Sequence, residues 1–200
     1  MQFLGTGTTG WHEFKIDVAD VAEGTDFFMM KPITRYSSTS LTNIRIGKFG
    51  QGTMEIQDTI DVIKGVYIYG GAFKLAGSHL TDASEQKFAL SGGTLAAADD
   101  TENSCGPLAV TARGGKIKLG EGATLTFASF EPEAGAVKKS IMIDAPLRAN
   151  AIRFTTVLTG EQRTFFRWKD DTAPSGSWRV CQDASGYLHP VMQGTVLIIR

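Results

Sequence analysis

Along most of the chain, apolar residues alternate with polar ones in runs of four to six that are cut short by Gly, Asp, Asn or Ser. Period-two runs of this length predict strands, here at Leu41 to Ile46, Thr53 to Ile56, Gly65 to Tyr69, Ala72 to Leu75, Lys87 to Leu90, Leu108 to Val110, Lys116 to Leu119, Ala123 to Phe127, Ser140 to Ile143, Ala151 to Thr155 and Thr195 to Ile199. Helical spacing is scarce. Its best case is Asp17 to Phe28, where Val18, Val21 and Ala22 predict one short turn that Gly24 ends.

The strands share a template of Gly, any small residue, apolar, any residue, apolar. Gly52 to Ile56, Gly71 to Leu75, Gly93 to Ala97 and Gly115 to Leu119 all fit it, with leading glycines 19, 22 and 22 residues apart. The last three copies carry a second glycine in front, as Gly70-Gly71, Gly92-Gly93 and Gly114-Gly115. A glycine doublet admits positive φ at a sharp corner, and apolar residues two and four places later fall on one face of the strand. A repeat of this length predicts a solenoid, in which each coil buries its apolar face only against its neighbours. Met54, Phe73, Leu95 and Ile117 then lie one above another inside. The alternative is a Gly-rich β-sandwich, whose strands recur every 8–12 residues or so.

The interval also predicts where the repeat stops. Doublets are expected near positions 136, 158 and 180, and Gly135 and Gly160 stand alone there. The chain therefore divides into coils over 1–157 and a capping segment over 158–200. In that cap, Phe165, Phe166 and the run Val196 to Ile199 are expected to close the open end of the interior.

Composition sharpens the picture in few places. Twenty-three Gly against 6 Pro suits an all-β chain, and a net charge of -1 supplies no field to draw nucleic acid or anionic lipid. No run approaches the ~20 apolar residues of a membrane span. Gly5, Gly7 and Gly10 already read as repeat turns, so the chain is expected to be the C-terminal piece of a longer protein. Cys105 and Cys181 are 76 residues apart and are expected to be two unlinked thiols.

The stretches Ser91 to Leu95 and Gly114 to Phe127 resemble the autotransporter-associated β-strand repeats of bacterial surface proteins, within the pectin-lyase-like right-handed β-helix superfamily. Leu158 to Gln162, Phe165-Phe166 and Asp183 to Pro190 are similar to the closing module that often follows such repeats. The resemblance implies a right-handed parallel β-helix displayed outside the cell or on its surface, in adhesion or as a stalk. The chain departs from the family in carrying no membrane-inserting barrel after the repeats.

Candidate chemistry is thin, and no cofactor is expected. The superfamily's polysaccharide lyases and glycoside hydrolases, the alternative function, need carboxylate clusters with a basic partner. Asp99-Asp100 is the acidic doublet within the repeats, and with Thr101 to Asn103 it reads as a polar loop. His12, His79 and His189 lie far apart and read as surface or turn residues. The literal dinucleotide pattern Gly5, Gly7, Gly10 lacks a preceding strand. The candidate ligand-binding residues are Phe166, Arg167, Trp168, Trp178 and Arg179, an aromatic and arginine cluster suited to a glycan or a cell-surface protein. A second partner is another copy of the chain, through exposed coil edges.

Overall fold

The computed structural model describes residues 2–3, 12–21, 25–30, 34–35, 44–60, 64–77, 86–147, 150–170, 172–173 and 176–191. Gly5, Gly7, Gly10, His79 and the run Val196 to Ile199 lie outside the described residues. The chain enters through β1 (Gln2–Phe3), β2 (His12–Asp17), β3 (Phe27–Met29) and β4 (Thr34–Arg35). It continues as β5 (Ile44–Phe49), β6 (Thr53–Ile56), β7 (Gly65–Ile68), β8 (Ala72–Leu75), β9 (Lys87–Leu90), β10 (Thr94–Ala97), β11 (Glu102–Cys105), β12 (Leu108–Val110), β13 (Gly115–Leu119) and β14 (Thr124–Phe127). The last elements are β15 (Phe130–Pro132), β16 (Ile141–Asp144), β17 (Ile152–Phe154), α1 (Gly160–Arg163), β18 (Phe166–Lys169), β19 (Ser177–Gln182) and β20 (Leu188–Val191).

These strands build a parallel β-solenoid. A nine-stranded broad sheet runs β3, β6, β8, β10, β13, β16, β18 in parallel and ends in β19 and β20, which pair antiparallel. A six-stranded side sheet holds β2, β5, β7, β9, β12 and β15, and a three-stranded sheet holds β11, β14 and β17. The four template strands stack in register, with Met54 against Phe73, Phe73 against Leu95 and Leu95 against Ile117. All four side chains are fully buried, and the column continues into Ile143 and Trp168. The β-sandwich alternative is excluded, because these strands pair in parallel and consecutive copies are neighbours in one sheet.

Glycine is required where the corners demand it. Gly114 sits at φ +67°, and a Cβ there would meet the Ser140 carbonyl oxygen at 2.4 Å. Yet the broad-sheet corner survives where the doublets end, because Lys139 at φ 63° adopts the left-handed conformation ahead of β16, as Asn150 at φ 70° does ahead of β17. The parallel stack accordingly runs on through β16 and β18, and the pairing reverses only between Lys169 and Ser177.

Two local expectations differ from the structure. Among the described residues of the segment Asp17 to Phe28, β2 and β3 frame irregular backbone without a helical turn. The Val18 N–H is taken by the Phe49 carbonyl of the next coil, which holds the backbone to its neighbour instead of to itself. The polar run Thr101 to Asn103 contributes to β11, where Asn103 and Cys105 face inward and take places that Leu125 and Phe127 fill one coil on. Polar occupants in interior positions hide the strand's alternation. The α-helix of the described residues, α1, carries a capping box in which Thr159 and Gln162 bond each other's backbone.

The open end of the interior is closed by phenylalanines. Phe130 packs on Phe165 at 5.5 Å and on Phe166 at 4.8 Å between ring centres, and Phe154 meets Phe166 at 5.7 Å. Gln162 Nε2 donates to the Phe130 carbonyl, so α1 takes up an acceptor on the final strand of the side sheet. Both cysteines are unlinked thiols, Cys105 buried and Cys181 exposed.

Candidate functional site

The last rungs of the broad sheet carry the aromatic and arginine cluster, and strand alternation divides it in two. Phe166 and Trp168 point into the solenoid, with Trp168 Nε1 donating to the Ala145 carbonyl at 2.9 Å. Trp178 lies across from Trp168 and packs partly buried against the same core, its indole N–H donated to Asp170. The aromatic faces therefore build the end of the core and present no open stacking platform. Arg167 and Arg179, one residue along in each strand, point outward and come opposite each other by the same antiparallel register.

Around that pair the outer surface is cationic. A cavity of about 390 Å³ is lined by Arg167, Arg179, Arg163, Lys138 and Lys139, with Gly160, Thr164 and Val180. Lys138 meets Glu161 at the rim at 3.6 Å, and Arg163 donates to the Leu158 carbonyl at 2.6 Å. Among the described residues no carboxylate forms an ion pair with Arg167, Arg179 or Lys139. Burial and then the neighbouring Arg179 charge hold the Arg167 guanidinium below its ordinary range. Like charges facing each other across a strand pair cost stability, by an amount comparable to the ~0.2–1 kcal/mol that an opposite pair contributes. A cluster of donors arranged against that repulsion is a ready site for an anion.

Lys138 and Lys139 lie far from the arginines in sequence. The signal that could have found them is the expected corner near position 136, which places this loop beside the next coil's strand.

The other candidates take structural parts. Asp99 Oδ1 accepts the Glu121 N–H at 2.9 Å, and Asp100, at φ 55°, donates its own N–H to the Glu121 carbonyl. The doublet thus holds the corner of the following coil. His189 Nε2 lies 2.8 Å from Asp183 Oδ2, and Asp183 Oδ1 accepts the N–H groups of Ser185 and Tyr187. That network fixes the turn between β19 and β20. Cys181 stands across from His189 in register, and the two side chains are not hydrogen-bonded. His12 lies in β2.

On the outside of the side sheet, a second set of aromatics is saturated by its neighbours. Phe49 and Tyr69 stack at 4.5 Å, the Arg45 guanidinium lies 4.3 Å over Tyr67, and the Tyr67 hydroxyl donates to Glu133 at 2.9 Å. Tyr67 is buried, and this ladder clamps the loop after β15 onto the sheet. Among the described residues no group of three His, Cys, Asp or Glu is placed to hold a metal ion, and no helix is long and apolar enough to cross a membrane. Comparison with protein family models, with curated proteins and with solved structures returns no match.

Proposed function

We propose that the chain is a non-catalytic β-solenoid scaffold, secreted or displayed on a cell surface, whose basic cavity binds an acidic glycan. The observation that carries the reading is the outward Arg167–Arg179 pair, opposed across antiparallel strands, with which no carboxylate among the described residues forms an ion pair. The resemblance to autotransporter-associated repeats supplies the surface setting, and a right-handed winding follows the near-universal preference of parallel crossovers. The lyase or hydrolase alternative draws no support from Asp99 and Asp100, since both are engaged in holding a corner.

Titration calorimetry with a polyuronate or sulfated glycan, against a neutral glucan, tests the reading. Arg167→Ala and Arg179→Ala are each expected to weaken acidic-glycan binding about tenfold or more, as loss of a hydrogen bond to a charged group does. The same substitutions are expected to leave the melting temperature unchanged or raised, because each relieves a like-charge contact. Equal affinity for neutral and acidic glycans overturns the reading.

A further inference from the structure

The cavity lies at one end of a longer cationic surface. Outward positions of the broad sheet form two columns, because parallel strands in register bring equivalent residues to adjacent rungs ~4.8 Å apart. One column reads Arg179, Arg167, Met142, Lys116, Thr94, Ala72 and Thr53 from the capped end. The other reads Lys169, Asp144, Lys118, Ala96, Lys74 and Glu55.

Charges along these columns are unevenly neutralised. Lys169 meets Asp144 at 3.4 Å, and Lys74 meets the nearly buried Glu55 at 2.9 Å. Lys116 and Lys118 are exposed and, among the described residues, make no ion pair with a carboxylate. Between Lys118 and Lys74 the second column is interrupted by Ala96, the one small side chain among long charged ones. There the surface opens into a second cavity of about 370 Å³, with Ala72 and Ala96, Thr53, Lys74, Lys118 and Asp99 among its walls.

Resting on the acidic-glycan reading above, we propose that the ligand is an extended, linear acidic polysaccharide. It runs along the solenoid axis from the arginine cavity, over Lys116 and Lys118, into the notch at Ala96. Arg179 to Thr94 spans four rung spacings, about 19 Å, which is the length of several sugar units and more than one isolated anion can use. The track offers cations at its head and middle and threonine hydroxyls at Thr94 and Thr53, matching a chain whose carboxylates or sulfates alternate with hydroxyls. A single-stranded nucleic acid fits less well. Its bases need exposed aromatic faces, and Phe166 and Trp168 beside this track are turned inward.

The experiment compares a uronic-acid disaccharide with the same glycan extended to about eight residues, in the whole chain and in the double variant Lys116→Ala/Lys118→Ala. The longer ligand is expected to bind about 100-fold more tightly, because each added contact is made at high effective concentration. The double variant is expected to lose most of that gain and to keep the disaccharide affinity, since both lysines are exposed and lie outside the arginine cavity. Equal affinities for short and long ligands overturn the extended track and leave the cavity reading standing. A double variant that keeps the full length gain does the same. No binding of either acidic ligand overturns the cavity reading, and the track with it. Tighter binding of single-stranded DNA or polyglutamate of equal charge overturns the glycan assignment.

Discussion

Lys48 is wholly buried, and its ammonium donates to the carbonyls of Phe49, Gly50 and Gly70 at 2.7, 3.1 and 3.1 Å. Those bonds use all three of its donors and satisfy carbonyls in the corners of two successive coils. Burial pulls the lysine's pKa down from its ordinary value, and the negative charges of Asp17 and Asp26 oppose that pull. Lys48→Met keeps the apolar stem and leaves the carbonyls unpaired, so it is expected to cost about 2 kcal/mol or more, read as a lower urea midpoint at unchanged slope. A midpoint equal to the wild type's would show that water or relaxation satisfies the corner. Tyr67→Phe is a milder case. It frees Glu133 from a partly buried bond that Lys87 also makes, and is expected to cost about 1 kcal/mol.

Among the elements, the hairpin of β19 and β20 depends on two carboxylates. The Trp178 indole bond holds Asp170 below the ordinary aspartate value of 3.8, and the His189 bond does the same for Asp183. A depressed carboxylate pKa gives stability that is fully present above 3.8 and is lost as pH falls through the lower folded value. The hairpin is therefore expected to loosen below about pH 4 before the coils do. Trp178 emission should shift on acidification ahead of the far-ultraviolet circular dichroism, and coincident transitions would refute a separately melting hairpin. The short helix α1 is fastened by its capping box, so Thr159→Ala is expected to cost about 1 kcal/mol.

For the whole molecule, stability passes from coil to coil, since each rung is buried only by the next. The end matters most under that arrangement. Truncation after Thr156 removes α1, Phe165 and Phe166 and uncovers Phe130 and Phe154 together with the final strand edges. The shortened chain is expected to aggregate, as an open apolar end with unpaired backbone invites edge-to-edge association. Light scattering that shows a monomer with an unchanged melting temperature would assign the capping role elsewhere.

The coils were legible because two local rules act in every repeat. A corner at positive φ favours glycine, and one face of a strand must be apolar, so Gly71, Gly93 and Gly115 with Phe73, Leu95 and Ile117 announce the stack, its register and its parallel pairing without any distant contact. Where a coil meets those needs another way, the signal fades: Lys139 and Asn150 turn corners without glycine, and Asn103 and Lys48 occupy the interior with polar groups. The candidate site was half visible. Arg167 and Arg179 stand out in the sequence with their aromatic neighbours, but only the parallel pairing of β18 on β16 decides that Phe166 and Trp168 face in, and only the antiparallel register of β18 and β19 brings the two arginines opposite each other outside. Lys138 and Lys139 join them through the winding of the solenoid, which brings one coil's corner beside the next coil's strand. The physical reason is that burial and backbone geometry are set by neighbours within a few residues, whereas the meeting of charges from separate coils is set by how the coils stack.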